Sequence, residues 1–103
     1  MGNIIRGTTP TFTLTVPEAV DLTAAQNVYA TFRQGAKVCT KSGDEITVSE
    51  HQVDIYLDQG ETLAFTVGEV EIQLNWTFAG GQRAASTITK VTFDENLLRR
   101  VIE

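Results

Sequence analysis

The sequence predicts an all-β chain, folded as an antiparallel β-sandwich of immunoglobulin-like (Ig-like) type with about seven strands. Three observations predict it. The stretch Glu69–Phe78 alternates strictly, with Val70, Ile72, Leu74, Trp76 and Phe78 on one face and Glu71, Gln73, Asn75 and Thr77 on the other. That pattern is what a half-buried strand requires, because successive side chains point to opposite sides of a sheet. Seven such runs follow one another, separated by short turns. The glycines fall in those turns rather than at corner positions inside strands, which favours two packed sheets over a barrel.

The 103 residues suit one domain, 1–103, and an apolar content of 42% is enough for a single core. The first strand, 11–16, alternates Phe12, Leu14 and Val16 with threonines and is closed by Pro17. Residues 17–26 read as a loop with Asp21 and Thr23 as local hydrogen-bonding residues. Strand 27–34 turns Val28, Ala30 and Phe32 inward and Tyr29, Thr31 and Arg33 outward. A tight turn at Gly35-Ala36 leads into 37–41, an edge strand defended by lysines.

Ser42-Gly43-Asp44 is a turn. Ile46 and Val48 begin a fourth strand, interrupted by Ser49-Glu50-His51 before Gln52–Leu57. Asp58 and Glu61 have the spacing of a helix N-cap and its N3 partner, predicting a short helical turn over 59–65. Leu63 and Phe65 are placed to plug one end of the sheet. After the long strand, Ala79-Gly80-Gly81-Gln82 marks a hairpin into a single strand, Arg83–Phe93. Asp94 then reads as the N-cap of a short C-terminal helix, 95–102, acidic at its start and basic at Arg99 and Arg100. The predicted core is Phe12, Leu14, Val28, Ala30, Phe32, Ile46, Val48, Val53, Ile55, Leu57, Val70, Ile72, Leu74, Trp76, Val91 and Phe93.

The net charge of −5 with scattered lysines and arginines argues against nucleic acid as a partner, since phosphate neutralisation needs clustered cations. No window approaches the roughly 20 apolar residues of a membrane-spanning helix, so no membrane role is expected. The N-terminal stretch lacks the apolar run of a signal peptide, and Arg6 stands where an acylation signal wants Ser or Thr. The single Cys39 excludes an internal disulfide and reads as inert packing.

His51, the one imidazole, reads as a solvated turn histidine, so neither nucleophilic catalysis nor a zinc site is expected. Asp44-Glu45 and Glu69/Glu71 read as solvated charge. Gly80-Gly81 lacks the further glycines and the helix of a phosphate loop. Trp76 shares the phase of Ile72 and Leu74, which favours a core tryptophan over an exposed platform. No catalytic, cofactor-binding or metal-binding residue is predicted, and the expectation is a non-enzyme.

Four stretches together carry a resemblance: Ile5-Arg6-Gly7-Thr8-Thr9-Pro10-Thr11, Asp58-Gln59-Gly60-Glu61-Thr62-Leu63-Ala64-Phe65, Val70-Glu71-Ile72-Gln73-Leu74 and Arg83-Ala84-Ala85-Ser86. They resemble a family of small structural proteins from phages and prophages of Gram-positive hosts, similar to the N-terminal domain of phage baseplate upper proteins. The resemblance runs from Ile5 to about Ile102. It departs at Gly60, where the common form Q-E-D-T has an acidic residue, while Glu61 still supplies the capping partner. It implies a β-sandwich module of the tail or baseplate without an active site. It also implies other tail and baseplate proteins as partners, and a place in the virion after synthesis in the host cytoplasm.

Two functional expectations follow, a virion structural protein acting through protein–protein contacts and, as the alternative, a carbohydrate-binding β-sandwich module. The alternative would use Trp76, Tyr29 or Tyr56 as a stacking platform. A small hydrolase, the third reading, would need a base near a nucleophile. The candidate interface is Leu97, Leu98, Val101 and Ile102, four apolar side chains within six residues. They are expected either to associate with a second copy or a neighbouring tail protein, or to dock across an open end of their own sandwich. Self-association, giving a homo-oligomer, is favoured.

Overall fold

The computed structural model describes residues 3–102. In chain order the strands are β1 (Ile4–Ile5), β2 (Thr11–Thr15), β3 (Asn27–Gln34), β4 (Lys37–Ser42), β5 (Ile46–Val48), β6 (Gln52–Tyr56), β7 (Gly68–Thr77), β8 (Arg83–Ala85) and β9 (Thr89–Asp94). One α-helical turn, α1 (Gln59–Ala64), links β6 to β7, and 3-10 turns occupy Leu22–Ala24 and Gly43–Glu45. One sheet has the order β1-β9-β7-β3-β4, with β8 also paired to β7, and the other has the order β2-β6-β5. All pairings are antiparallel except β1 with β9. This is a two-sheet sandwich of immunoglobulin-like layout.

The alternation read from the sequence builds the core directly. Phe12 of one sheet meets Phe32 of the other edge-to-face at 5.3 Å, and Phe65 meets Phe93 at 5.5 Å, both favourable aromatic geometries. The predicted core residues are buried except Val28, Ile46 and Val48, which pack against its margin partly covered. Val16, Leu22 and Phe65 join the core. Leu22 comes from the segment read as a plain loop. There Asp21 Oδ1 accepts from the Thr23 backbone N–H at 3.0 Å and caps the 3-10 turn that drives Leu22 inward.

The predicted strand 83–93 is broken into β8 and β9. Asn75 pairs with Ala85 and Ile72 with Thr89, so Gln73–Leu74 face three residues, Ser86, Thr87 and Ile88. One extra residue makes a β-bulge. Ser86 pins it: its N–H donates to the Leu74 carbonyl at 2.9 Å and its Oγ accepts from the Leu74 N–H at 2.9 Å. The bulge lets Ala84, Val91 and Phe93 all approach the core although they differ in parity.

The predicted C-terminal helix is not formed. Asp94 closes β9 instead of capping a helix, and residues 95–102 run without regular structure. Tertiary contacts override the local signal: Ile5 pairs with Asp94, the Arg6 N–H donates to the Asp94 carbonyl at 3.0 Å, and Asn96 Nδ2 donates to the Arg6 carbonyl at 2.9 Å.

Candidate interaction surface

Three segments distant in sequence meet at one end of the sandwich: the turn at Arg6–Thr8, helix α1 and the C-terminal arm. The last carbonyls of a helix have no intrahelical donor. Arg6 supplies them, its Nη2 donating to the Leu63 carbonyl at 2.9 Å and its Nε to the Phe65 carbonyl at 2.6 Å. Its Nη1 pairs with Glu95 at 2.9 Å. A cation at this end also suits the helix dipole. Thr62, fully buried, donates from Oγ1 to the Thr8 carbonyl at 2.8 Å and accepts from the Gly7 N–H at 2.9 Å. Gly7 has φ of 81°, a conformation that favours glycine, and a Cβ there would lie 3.2 Å from Leu63 Cδ2, a tight contact that would shift the leucine side chain. Two of the stretches that carry the family resemblance are therefore bonded to each other in space.

The start of α1 forms as its sequence predicts. The Glu61 N–H donates to Asp58 Oδ1 at 2.8 Å, and the Asp58 N–H donates to Glu61 Oε1 at 2.9 Å. Gln59, half-buried in the first turn of α1, holds the C-terminal arm: its Oε1 accepts from the Ile102 N–H at 2.8 Å and its Nε2 donates to the Ile102 carbonyl at 3.1 Å.

The structure thus fixes the arm's backbone beside α1 without covering its candidate interface residues. Leu97 is 98% exposed, Ile102 62%, Val101 50% and Leu98 43%. Intramolecular docking accounts for the main chain only. Leu63 is partly covered and Phe65 is fully buried, so neither offers the arm an open recess.

Elsewhere the chemistry-bearing residues are engaged structurally. His51 is half-buried rather than free in its turn; its Nδ1–H donates to the Val20 carbonyl at 2.6 Å and ties down the loop before β3. Cys39 faces inward on β4, where burial, with Glu61 nearby, pushes its thiol up and keeps it protonated. Glu71 pairs with Arg33 at 2.6 Å and Glu69 with Lys90 at 3.6 Å across the outer face of the large sheet. Among the described residues no group of three or more His, Cys, Asp or Glu is placed to hold a metal ion.

Trp76 is 3% exposed and lies in the core, so it offers no stacking surface. Tyr29 and Tyr56 are exposed, on β3 and at the end of β6. Tyr56 borders an acidic recess of about 540 Å³ that also holds Asp44, Glu45, Asp54, Asp58 and Glu61. Nothing in the sequence signals the Arg6 contacts, because their partners lie more than fifty residues away and are backbone carbonyls.

No family model matches the chain, and no curated protein matches it. Among solved structures it is similar to a protein described as a "putative glycoside hydrolase" from Bacteroides vulgatus ATCC 8482. The TM-score is 0.56 at 10% identity, over 93% of this chain and 17% of that one. At that identity the likeness is one of fold: the sandwich recurs as a small portion of a longer protein.

Proposed function

We propose that the chain is a non-enzymatic structural module of a phage or prophage virion, placed in the tail or baseplate and acting through protein–protein contacts. The observation that carries this reading is the C-terminal arm: Gln59 holds its backbone in place while Leu97, Leu98, Val101 and Ile102 remain uncovered. Apolar side chains held in fixed positions on a surface mark interaction sites. The family resemblance supplies the kind of assembly. Its Arg6–Thr8 and Asp58–Phe65 stretches are the ones that build the platform on which the arm rests.

The partner is a neighbouring tail protein or a second copy of this chain. Co-expression with the products of adjacent tail genes, followed by native mass spectrometry, tests the reading together with analysis of purified virions. A defined complex that is lost in Leu97→Asp/Leu98→Asp supports it. Absence from virions together with no complex with any tail protein overturns it.

A further inference from the structure

Val28, Ile46 and Val48, read from the sequence as core, are left half-covered because β5 is only three residues long and ends the smaller sheet. With Leu22 and Ala25 they floor an open recess of about 510 Å³. A cavity of about 150 Å³ already takes up a benzene ring, so this volume admits more than one aliphatic side chain. No charged side chain lines it, yet its rim is acidic. Asp21 flanks Leu22, Asp44 flanks Gly43, and Glu50 accepts at its carbonyl from the Leu22 N–H at 2.8 Å. All three carboxylates are exposed. An apolar floor inside an acidic rim suits a segment that is apolar and basic together.

This chain carries one such segment. Arg99 and Arg100 are the one adjacent pair among its eight lysines and arginines, and they stand between Leu97-Leu98 and Val101-Ile102. Asn96 Oδ1 accepts from the Leu98 N–H at 3.0 Å, a local turn at whose tip Leu97 is 98% exposed. Arg99 leans on Glu95 at 3.1 Å, while Arg100 makes no ion pair among the described residues.

The arm of one copy does not fill its own recess. Gln59 holds Ile102 beside α1, and no arm residue lines the recess. Val28 lies six residues before Gln34 on β3, and Gln34 bonds the Thr66 carbonyl just beyond α1. At roughly 3.3 Å per residue, Val28 is about 20 Å from that end of the sandwich. Donor and receiver are therefore different surfaces, one of each per copy, which is the condition for a heterologous contact.

We propose that the recess receives the C-terminal arm of a second copy, joining copies head to tail. Leu97 and Leu98 cover Val28, Ile46 and Val48, and Arg100 meets the acidic rim. The inference rests on the arm being an interface, as above, and names its partner as this same chain.

Mixing two variants of the full chain tests it. Leu97→Asp/Leu98→Asp spoils the arm and keeps the recess, whereas Val48→Asp spoils the recess and keeps the arm. Native mass spectrometry should show oligomers of wild type and monomers of either variant alone. The mixture should give a one-to-one complex that grows no further, because one sound arm and one sound recess remain. Thermal melts check that each variant folds. Asp44→Lys/Glu50→Lys, on the surface, replaces Val48→Asp if that variant unfolds, and should weaken self-association at least about fivefold.

Wild type that stays monomeric up to about 1 mM overturns the proposal. So do variants that remain apart when mixed, or self-association indifferent to the recess substitutions. A tail protein that takes the arm while the chain alone stays monomeric overturns it and leaves the assembly role standing. Self-association in the expected pattern, with no tail-protein complex and absence from virions, does the reverse.

Discussion

Lys41 and Glu61 form an ion pair that ties the edge strand β4 to the first turn of α1. Lys41 is 8% exposed and turns inward, so it does not guard the edge from the solvent side as the sequence suggested. An inward charge on an edge strand defends it differently, because a foreign strand pairing there would have to disturb a buried ammonium. Glu61 divides its two oxygens, Oε1 completing the cap at Asp58 and Oε2 meeting Lys41.

Substituting the carboxylate should therefore cost more than substituting the ammonium. Glu61→Ala removes the side-chain half of the capping box and leaves the ammonium only the longer pairing with Glu45 at 3.7 Å, and a loss of about 2 kcal/mol is expected. Lys41→Met keeps the volume and the cap, and should lie within about 1 kcal/mol of wild type. Urea midpoints at constant m-value measure both; a Lys41→Met loss equal to that of Glu61→Ala would refute the shared-carboxylate account.

The pH dependence has two edges of different origin. Burial alone would lower the Lys41 pKa, but the hydrogen bond and charge of Glu61 raise it above the usual 10.5. Its stabilisation is complete below 10.5 and is lost as pH climbs through the higher native value. Asp21, hydrogen-bonded by Thr23, and Glu71, hydrogen-bonded by Arg33, are lowered from 3.8 and 4.5. Their contributions are present above those values and fade as pH falls through the lower native ones. Melting temperatures across the acid range should fall less steeply in Glu71→Gln than in wild type.

At the opposite end of α1, Arg6→Ala leaves two part-buried carbonyls, of Leu63 and Phe65, without donors. A cost of about 2–3 kcal/mol is expected. Arg6→Lys should recover little of it, because an ammonium cannot reproduce the fork. Thermal melts decide between these outcomes, and hydrogen exchange should show the loosening concentrated around residues 62–66.

Trp76→Ala should cost about 3–5 kcal/mol as a core truncation. Trp76 Nε1 is buried with no hydrogen-bond partner among the described residues. Trp76→Phe removes that stranded donor along with some volume, so its loss should be smaller than ring truncation alone implies. Emission from Trp76 should be blue-shifted and resistant to iodide; a red, quenchable spectrum would contradict its placement.

Removing residues 97–103 should change stability by no more than about 1 kcal/mol. Among the described residues, the arm is tied to the body of the sandwich chiefly by the Gln59–Ile102 pair, with an exposed Arg99–Glu95 ion pair beside it. The same truncation should abolish association. A marked loss of stability with association intact would place the arm's role inside the molecule. Native mass spectrometry and calorimetry on one sample measure both.

How much was legible follows from the range of each interaction. The bounds of β3 and the Asp58–Glu61 cap were readable because alternation and capping are local. The strand β1 was not, for two residues carry no period and their partner β9 lies near the other end of the chain. Leu97, Leu98, Val101 and Ile102 were readable as an apolar set, but their helix was a wrong inference. Asp94 looks locally like a cap, and only its pairing with Ile5 shows that it is a strand end. The bulge at Ser86 left a readable sign, the change of parity between Ala84 and Val91. Tyr29 was weighed as a platform on a sheet face. The half-covering of Val28, Ile46 and Val48 was not readable, since it depends on β5 stopping after three residues, which no local rule foretold.

The clasp at Gln59 touches only the main chain of Ile102. It recognises that an arm is present, not which arm. Side chains along 97–102 are therefore free to change while the arm stays in register with α1. The arm's position and its side-chain surface are written in different residues, so one can be reprogrammed without moving the other.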